Sequence, residues 1–197
     1  MGKLIVEQII SADGFAADEQ GGLDFFVGDD DLTIDNTDQL EMLETVDAIV
    51  FGATTFRMFQ QYWPARDPAV EGVAGPINTL PKHVISSTVD DPSWGDHAPA
   101  TIERGEAVPT VRELKQRYSG NIMVWGSLTL TEALFAAGLV DTVRLRIVPV
   151  LLGSGRPSAR GADTPLKLVS ANVFEAGTNG YPAGQLTLEF DVVQPAQ

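Results

Sequence analysis

The sequence predicts a three-layer α/β domain whose sheet is mostly parallel and ends in an antiparallel C-terminal edge. Three observations predict it. Short apolar runs alternate with helix-period stretches as far as Gly138, the pattern of right-handed β–α–β crossovers. Beyond Gly138, three strand-like segments follow without clear helices between them, which adds an antiparallel edge. At 197 residues, 44% hydrophobic and 20% charged, the chain suits a single domain of ordinary size and is too apolar for disorder.

The first apolar run, Leu4-Ile5-Val6-Glu7-Gln8-Ile9-Ile10, is rich in β-branched residues and stops at the turn signal Asp13-Gly14, so it reads as a buried first strand. From Ala16 to Thr37 periodicity is lost, and Gly21-Gly22 and Asp29-Asp30-Asp31 indicate a long surface loop. Leu40, Leu43 and Val46 keep helical spacing and lead into Ala48-Ile49-Val50-Phe51-Gly52, a run suited to a strand buried on both faces. Thr54 or Thr55 then caps a helix whose Phe56, Phe59 and Trp63 share one side, and Pro64 stops it. The stretch from Pro64 to Pro81 is rich in proline and glycine and shows no pattern. His83-Val84-Ile85-Ser86 is the next short strand, and Ala100-Thr101-Ile102-Glu103 an edge strand after the Asp91-Pro92 turn.

Thr110-Val111-Arg112-Glu113 has the capping-box pattern, with Val111, Leu114, Lys115 and Tyr118 on one face of a helix that runs to Gly120. Asn121-Ile122-Met123-Val124-Trp125-Gly126 repeats the buried-strand pattern. Thr129-Leu130-Thr131-Glu132 repeats the capping box, and Leu130, Ala133, Leu134 and Ala137 form a stripe that Gly138 terminates. Thr142 to Val150 alternates apolar Val143, Leu145 and Ile147 with Thr142, Arg144 and Arg146, so it is half-buried; the two arginines point away from the apolar face and suit a subunit contact. Leu166 to Phe174 and Leu186 to Val192 complete an antiparallel pair.

Charge and composition narrow the function. Thirteen Lys+Arg against 27 Asp+Glu leave a net charge of -14, which repels phosphate backbones and anionic membranes, so neither nucleic acid nor a membrane is an expected partner. The chain has no cysteine, which excludes thiolate zinc sites, iron–sulfur clusters and a cysteine nucleophile. The acids at 29 to 31 lack the spacing of a hard-cation loop, and no metal is expected. His83 and His97 lie near no serine-nucleophile motif and read as structural. The N-terminus turns polar too soon for a signal peptide or a span, so the expected location is cytoplasmic.

In an open sheet of this kind ligands sit at the carboxyl ends of the parallel strands, which places Ser11 to Gly14, Gly52 to Thr55, Ser86-Ser87 and Gly126 to Thr129 on one rim. Gly52-Ala53-Thr54-Thr55 and Gly126-Ser127-Leu128-Thr129 each set a glycine and hydroxyls between a strand and a helix N-terminus. Such turns either cap their helices or offer unpaired N–H groups and a helix dipole to an anion such as a pyrophosphate. The Gly-x-Gly-x-x-Gly fingerprint is missing after the first strand.

These residues resemble a known family. Ile9-Ile10-Ser11-Ala12-Asp13-Gly14-Phe15, Gly52-Ala53-Thr54-Thr55-Phe56, Val84-Ile85-Ser86-Ser87, and the segment from Met123 through Ala137-Gly138-Leu139-Val140-Asp141 to Pro149-Val150-Leu151-Leu152-Gly153 are similar to the dihydrofolate-reductase-like superfamily. Within it they resemble the branch built on the C-terminal reductase domain of the riboflavin-biosynthesis enzyme RibD. The resemblance implies a homodimeric reductase that passes a hydride from NADPH to a small heterocyclic or carbonyl substrate, as in 5-amino-6-(5-phosphoribosylamino)uracil reductase or dihydrofolate reductase. It implies that Gly52, Ala53, Thr54 and Thr55 form the first phosphate turn, Gly126, Ser127, Leu128 and Thr129 the second, and Ser86 with Ser87 the adenosine-phosphate side. Gly14 and Phe15, in the loop from Asp13 to Ala17, would flank the nicotinamide, and Trp125 would border the cofactor.

The pattern also departs from the family. Ala53 stands where dihydrofolate reductases commonly carry a basic residue near the 2'-phosphate, leaving Arg57 or Lys82 to compensate and leaving NADH open as the cofactor. A reduced deazaflavin or flavin, or nucleotide binding without turnover, is also compatible. Leu80-Pro81-Lys82-His83 lacks the arginine expected for a folate carboxylate, and Ser127-Leu128 replaces the usual tandem glycines. For the proton that accompanies the hydride, Asp13 is one candidate and Asp38 the other, the latter where dihydrofolate reductases keep their substrate carboxylate; Asp35 and Asn36 compete with Asp38 for that place.

Overall fold

The computed structural model describes residues 2–26, 37–159, 163–177 and 183–193. In chain order the elements are β1 (Leu4–Ser11), β2 (Phe15–Ala17), α1 (Thr37–Leu43), β3 (Val46–Gly52), α2 (Ala53–Tyr62), α3 (Ala74–Thr79), β4 (Lys82–Ile85) and β5 (Thr101–Glu103). They continue with α4 (Ala107–Arg117), β6 (Asn121–Trp125), α5 (Leu128–Ala136), β7 (Thr142–Val148), β8 (Arg156–Pro157), β9 (Leu166–Phe174) and β10 (Gln185–Val192). An eight-stranded sheet runs in the order β5-β4-β3-β6-β1-β7-β10-β9. Every pairing from β5 to β7 is parallel, and β10 pairs antiparallel with both β7 and β9.

Two apolar cores, one on each face, make the fold three-layered. On the first face Leu43 of α1, Phe56 of α2 and Ile77 of α3 pack on Ile5, Ile49 and Phe51. On the second, Val111 and Leu114 of α4 and Leu130 and Leu134 of α5 pack on Leu4, Val50 and Val124. The central strands are apolar on both sides because both sides are covered, which is why they read as continuous runs.

Several boundaries differ from the sequence reading. Val46 opens β3 rather than closing the preceding helix, since it pairs with Asn121 of β6. Neither Thr54 nor Thr55 caps α2: Gly52 is the cap residue, with no side-chain bond. The pattern at Thr110 is interior to α4, which begins after Glu106; Pro109 sits in the first turn, where its missing N–H is not needed. Tyr118, not Gly120, follows its last residue. Thr129 likewise lies inside α5, after Ser127. β7 stops at Val148, and Phe15–Ala17 forms a small antiparallel ribbon with β8. Asp29-Asp30-Asp31, Asp35 and Asn36 lie outside the described residues.

Candidate functional site

Parallel pairing brings the carboxyl ends of β1, β3, β4 and β6 to one rim, and the turns after β3 and β6 are joined directly. The Gly52 N–H donates to Ser127 Oγ at 2.9 Å, and the Ser127 N–H donates to Thr55 Oγ1 at 3.0 Å. Gln8 of β1 closes the group by donating to the Gly126 carbonyl at 2.8 Å. Gly126 and Ser127 both take left-handed φ of 54°, and Ser127 is the one described non-glycine residue with positive φ. Strain of that kind persists where surrounding bonds enforce it, often at functional sites. Neither N-cap residue, Gly52 of α2 or Ser127 of α5, makes a side-chain cap bond, and among the described residues no side-chain acceptor is found for the N–H groups of those first turns. The pair can therefore receive an anion such as a pyrophosphate. Thr54 and Thr129 are exposed beside it, and Ala53 and Leu128 are half-buried.

Ser86 follows β4 at the same rim, but its Oγ accepts the Thr88 and Val89 N–H groups and so shapes the turn. Ser87 is exposed. Two guanidiniums brace this loop: Arg57 donates to the Thr88 carbonyl at 2.9 Å, and Arg104 to the Ser86 and Val89 carbonyls. Lys82 does not join them. It is buried at 3% exposure, donates to the Asn78 and Leu80 carbonyls and lies 4.8 Å from the Trp94 ring, where burial pulls its amine down to about 8.

The segment after β1 is fastened rather than loose. Asp13 Oδ1 accepts from Ser11 Oγ at 2.6 Å and from the Leu152 N–H, and Oδ2 accepts the Gly153 N–H at 2.8 Å. The Ser11 hydroxyl first, and then the Gly153 amide, hold its carboxyl below the usual range. An exposed carboxylate with three donors is a poor proton source. Gly14 turns the chain at φ 88°, and Phe15 enters the ribbon opposite Pro157. A cleft of about 270 Å³ opens between α5 and β8 with the residues that follow it, lined by Leu128, Thr129, Glu132, Phe135, Arg156 and Ser158.

Beneath the rim runs a row of side chains in which the sequence reading gives roles to Trp125 and Arg144 but none to Glu7 or Glu189. Trp125, Glu7, Arg144 and Glu189 are register neighbours across β6, β1, β7 and β10, on the α1 face of the sheet. Glu7 Oε1 accepts from Trp125 Nε1 at 2.8 Å and from Gln39 Nε2 at 3.0 Å. Arg144 lies 3.4 Å from Glu7 Oε2 and donates to Asp38 Oδ2 at 2.6 Å. Arg144 is thus an internal cation, 3% exposed, and not the subunit-contact residue that its alternation suggested. Trp125 turns inward, stacked on Phe59, rather than out toward the rim. Asp38, with a side chain 20% exposed, ends this network at the start of α1, and Glu189, 35% exposed, ends it on β10. The signal was Glu7, the one charged residue inside a buried first strand.

The RibD C-terminal domain model matches residues 2–179. The chain belongs to the RibD C-terminal domain family. It is 27% identical over 179 residues to the Bacillus subtilis (strain 168) uncharacterized protein YyaP, covering 89% of this chain and 90% of that one. Among solved structures it resembles a Shewanella sp. PV-4 protein described as a riboflavin biosynthesis protein, with TM-score 0.72 and 19% identity over 98% of this chain and 99% of that one. It also resembles the dihydrofolate reductase of Enterococcus faecalis in its complex with NADP(H), with TM-score 0.60 and 12% identity, each chain 98% covered. As a RibD C-terminal domain, the chain brings together the two turns, the loop after β4 and the Asp13 fastening on one rim, with the Glu7–Arg144 row below. Among the described residues no helix is long and apolar enough to cross a membrane.

Proposed function

We propose that the chain is a reductase that binds NADPH across the Gly52–Thr55 and Gly126–Thr129 turns and reduces a small heterocyclic or carbonyl substrate. The observation that carries this reading is the joined pair of turns, in which Ser127 accepts from Gly52 and donates to Thr55. That joint aims two uncapped helix N-termini at one rim, the donor set a pyrophosphate requires. Arg57 and Arg104 beside Ser86-Ser87 supply the positive charge that Ala53 lacks and favour the phosphorylated dinucleotide over NADH. The NADP(H) complex of the structurally similar Enterococcus enzyme supports the same reading.

Bound there, the dinucleotide supplies a hydride equivalent. The chain's own part is to position and to protect. Asp38, held by Arg144, presents a partly exposed carboxylate to substrate N–H or O–H groups and is the better placed of the two acids to relay a proton from water to the atom beside the reduced carbon. Asp13 fastens the segment before β2 to the segment before β8, at the base of their ribbon, and so limits water entry.

A thermal-shift and fluorescence titration with NADPH, NADH, a reduced deazaflavin and a flavin tests the assignment. Selective binding of NADPH at about 100 times its dissociation constant stabilises the fold by ~2.7 kcal/mol and upholds the reading. Binding of a flavin-type ring with no response to either nicotinamide sinks the cofactor assignment, and no response to any of the four sinks the reductase reading.

A further inference from the structure

Glu7 is a buried carboxylate to which the proposed reduction gives no part. Its Oε1 accepts at once from Trp125 Nε1 and from Gln39 Nε2, so a single oxygen joins the last residue of β6 to the first turn of α1. The next residue of β1 grips the neighbouring position from the opposite face of the sheet, where Gln8 Nε2 donates to the Gly126 carbonyl. β1 thus holds the two residues that lead into the left-handed Ser127 turn. Across the strand, Arg144 stands in register with Glu7 and donates to Asp38 Oδ2. Neighbouring residues of β7 and β1 therefore hold consecutive residues of α1, Asp38 and Gln39.

The helix depends on those two holds. It has seven residues, of which Gln39 and Leu43 are buried, and a helix so short is not stable in water by itself. The other end of the Gln39 amide, Oε1, is buried with no hydrogen-bond partner among the described residues, so the bond to Glu7 is what satisfies that side chain. An element of this kind belongs to the least stable part of a fold, where a small change in one contact shifts its order.

We propose that Glu7 is a positioning residue through which NADPH bound at the Gly126–Thr129 turn orders the start of α1 and so fixes Asp38. The inference rests on the reading of that turn as a cofactor site. Gly126 and Ser127 sit in a strained, fully bonded turn, so a ligand that draws on their N–H groups moves the end of β6 rather than a slack loop. The Trp125 indole cannot shift without changing its bond to Glu7 Oε1, and Gln39 shares that oxygen. Contiguous bonds of this sort carry coupling between sites, and the coupling is reciprocal: a group bound at Asp38 tightens NADPH by the same factor.

Hydrogen exchange of the full chain with and without saturating NADPH tests the link. In the wild type NADPH is expected to slow the amides of residues 126–129 and, by about fivefold or more, those of α1, while the last turn of α4 on the other face keeps its rate. Trp125→Phe removes the indole donor but keeps a ring against Phe59, and is expected to retain the slowing at 126–129 and to lose it in α1. Gln39→Leu cuts the same link from the α1 side with the same expected result, and it decides the matter if the Trp125 variant fails to fold. Slowing of α1 that survives in a folded variant, or that α4 shares equally, overturns the proposal. NADPH that slows 126–129 but not α1 in the wild type overturns the link and leaves the cofactor reading standing; NADPH that slows neither sinks the cofactor reading and the link with it.

Discussion

Glu7 and Arg144 stand side by side on β1 and β7, each 2–3% exposed, with the Glu7 carboxylate oxygen 3.4 Å from the guanidinium. Neither group reaches water, and Glu7 Oε2 and Arg144 Nη1 make no hydrogen bond among the described residues. Removing one partner therefore strands a buried charge. Arg144→Met is expected to destabilise the fold by about 3–5 kcal/mol, and Glu7→Gln/Arg144→Met together by less than the sum of the singles. Urea unfolding of the two singles and the double measures it; additive losses would show that the pair does not interact.

Ser127 holds an unfavourable backbone conformation for the sake of its two bonds. Ser127→Ala and Ser127→Gly both delete the oxygen that accepts the Gly52 N–H, but only glycine relieves the positive φ. The glycine variant is expected to be the more stable of the two by about 1 kcal/mol, with NADPH binding weakened in both. Equal melting temperatures would mean that the left-handed turn stores no strain.

Asp13 ties the chain after β1 to the chain after β7, and the direction in which its carboxyl is shifted, below the ordinary value, fixes the sign of the pH effect. A carboxyl whose folded value lies below the ordinary 3.8 contributes stability that is full above that value and is lost as pH falls through the folded one. Exchange protection of the Gly153 amide is expected to fade below pH 3.8, and Asp13→Ala to remove it already at neutral pH. Unchanged protection in the variant would assign the fastening to the backbone bonds alone.

Lys82 is a buried amine pulled from 10.5 to about 8 by loss of hydration. The folded chain resists protonating it while the unfolded chain accepts the proton up to about 10.5, so between these values the unfolded state binds more protons. Its contribution to stability therefore rises as pH goes from 8 to 10.5. Tyr118, raised by burial, acts in the opposite sense at the alkaline end, so the informative quantity is the difference between wild type and Lys82→Met. The stability of wild type relative to the variant is expected to rise over this interval, and a flat difference would place the amine in water.

The rim was legible because its parts are local. Gly52-Ala53-Thr54-Thr55 and Gly126-Ser127-Leu128-Thr129 stand out as small, polar breaks between an apolar run and a helical stripe, whatever the rest of the chain does. Their capping role was misread for the same reason. Thr55 has the composition of a cap, yet its hydroxyl is taken by Ser127, a residue 72 positions away that only strand pairing brings near.

The sequence by itself determined the order of the main-sheet strands and of the helices other than α3, the burial of both sheet faces at the centre and the antiparallel close, since periodicity and turn chemistry act over a few residues; α3 and the β2–β8 ribbon were not legible in it. Which residues meet was decided only by the tertiary structure. Glu7 looked like one charge in a buried strand and Arg144 like a solvent-facing alternation, until register set them together under α1. Asp13 looked like a turn residue or an acid, until Gly153, 140 positions on, donated to it. Register and crossover are set by the packing of the whole sheet against its two layers, and no short window of sequence contains that information.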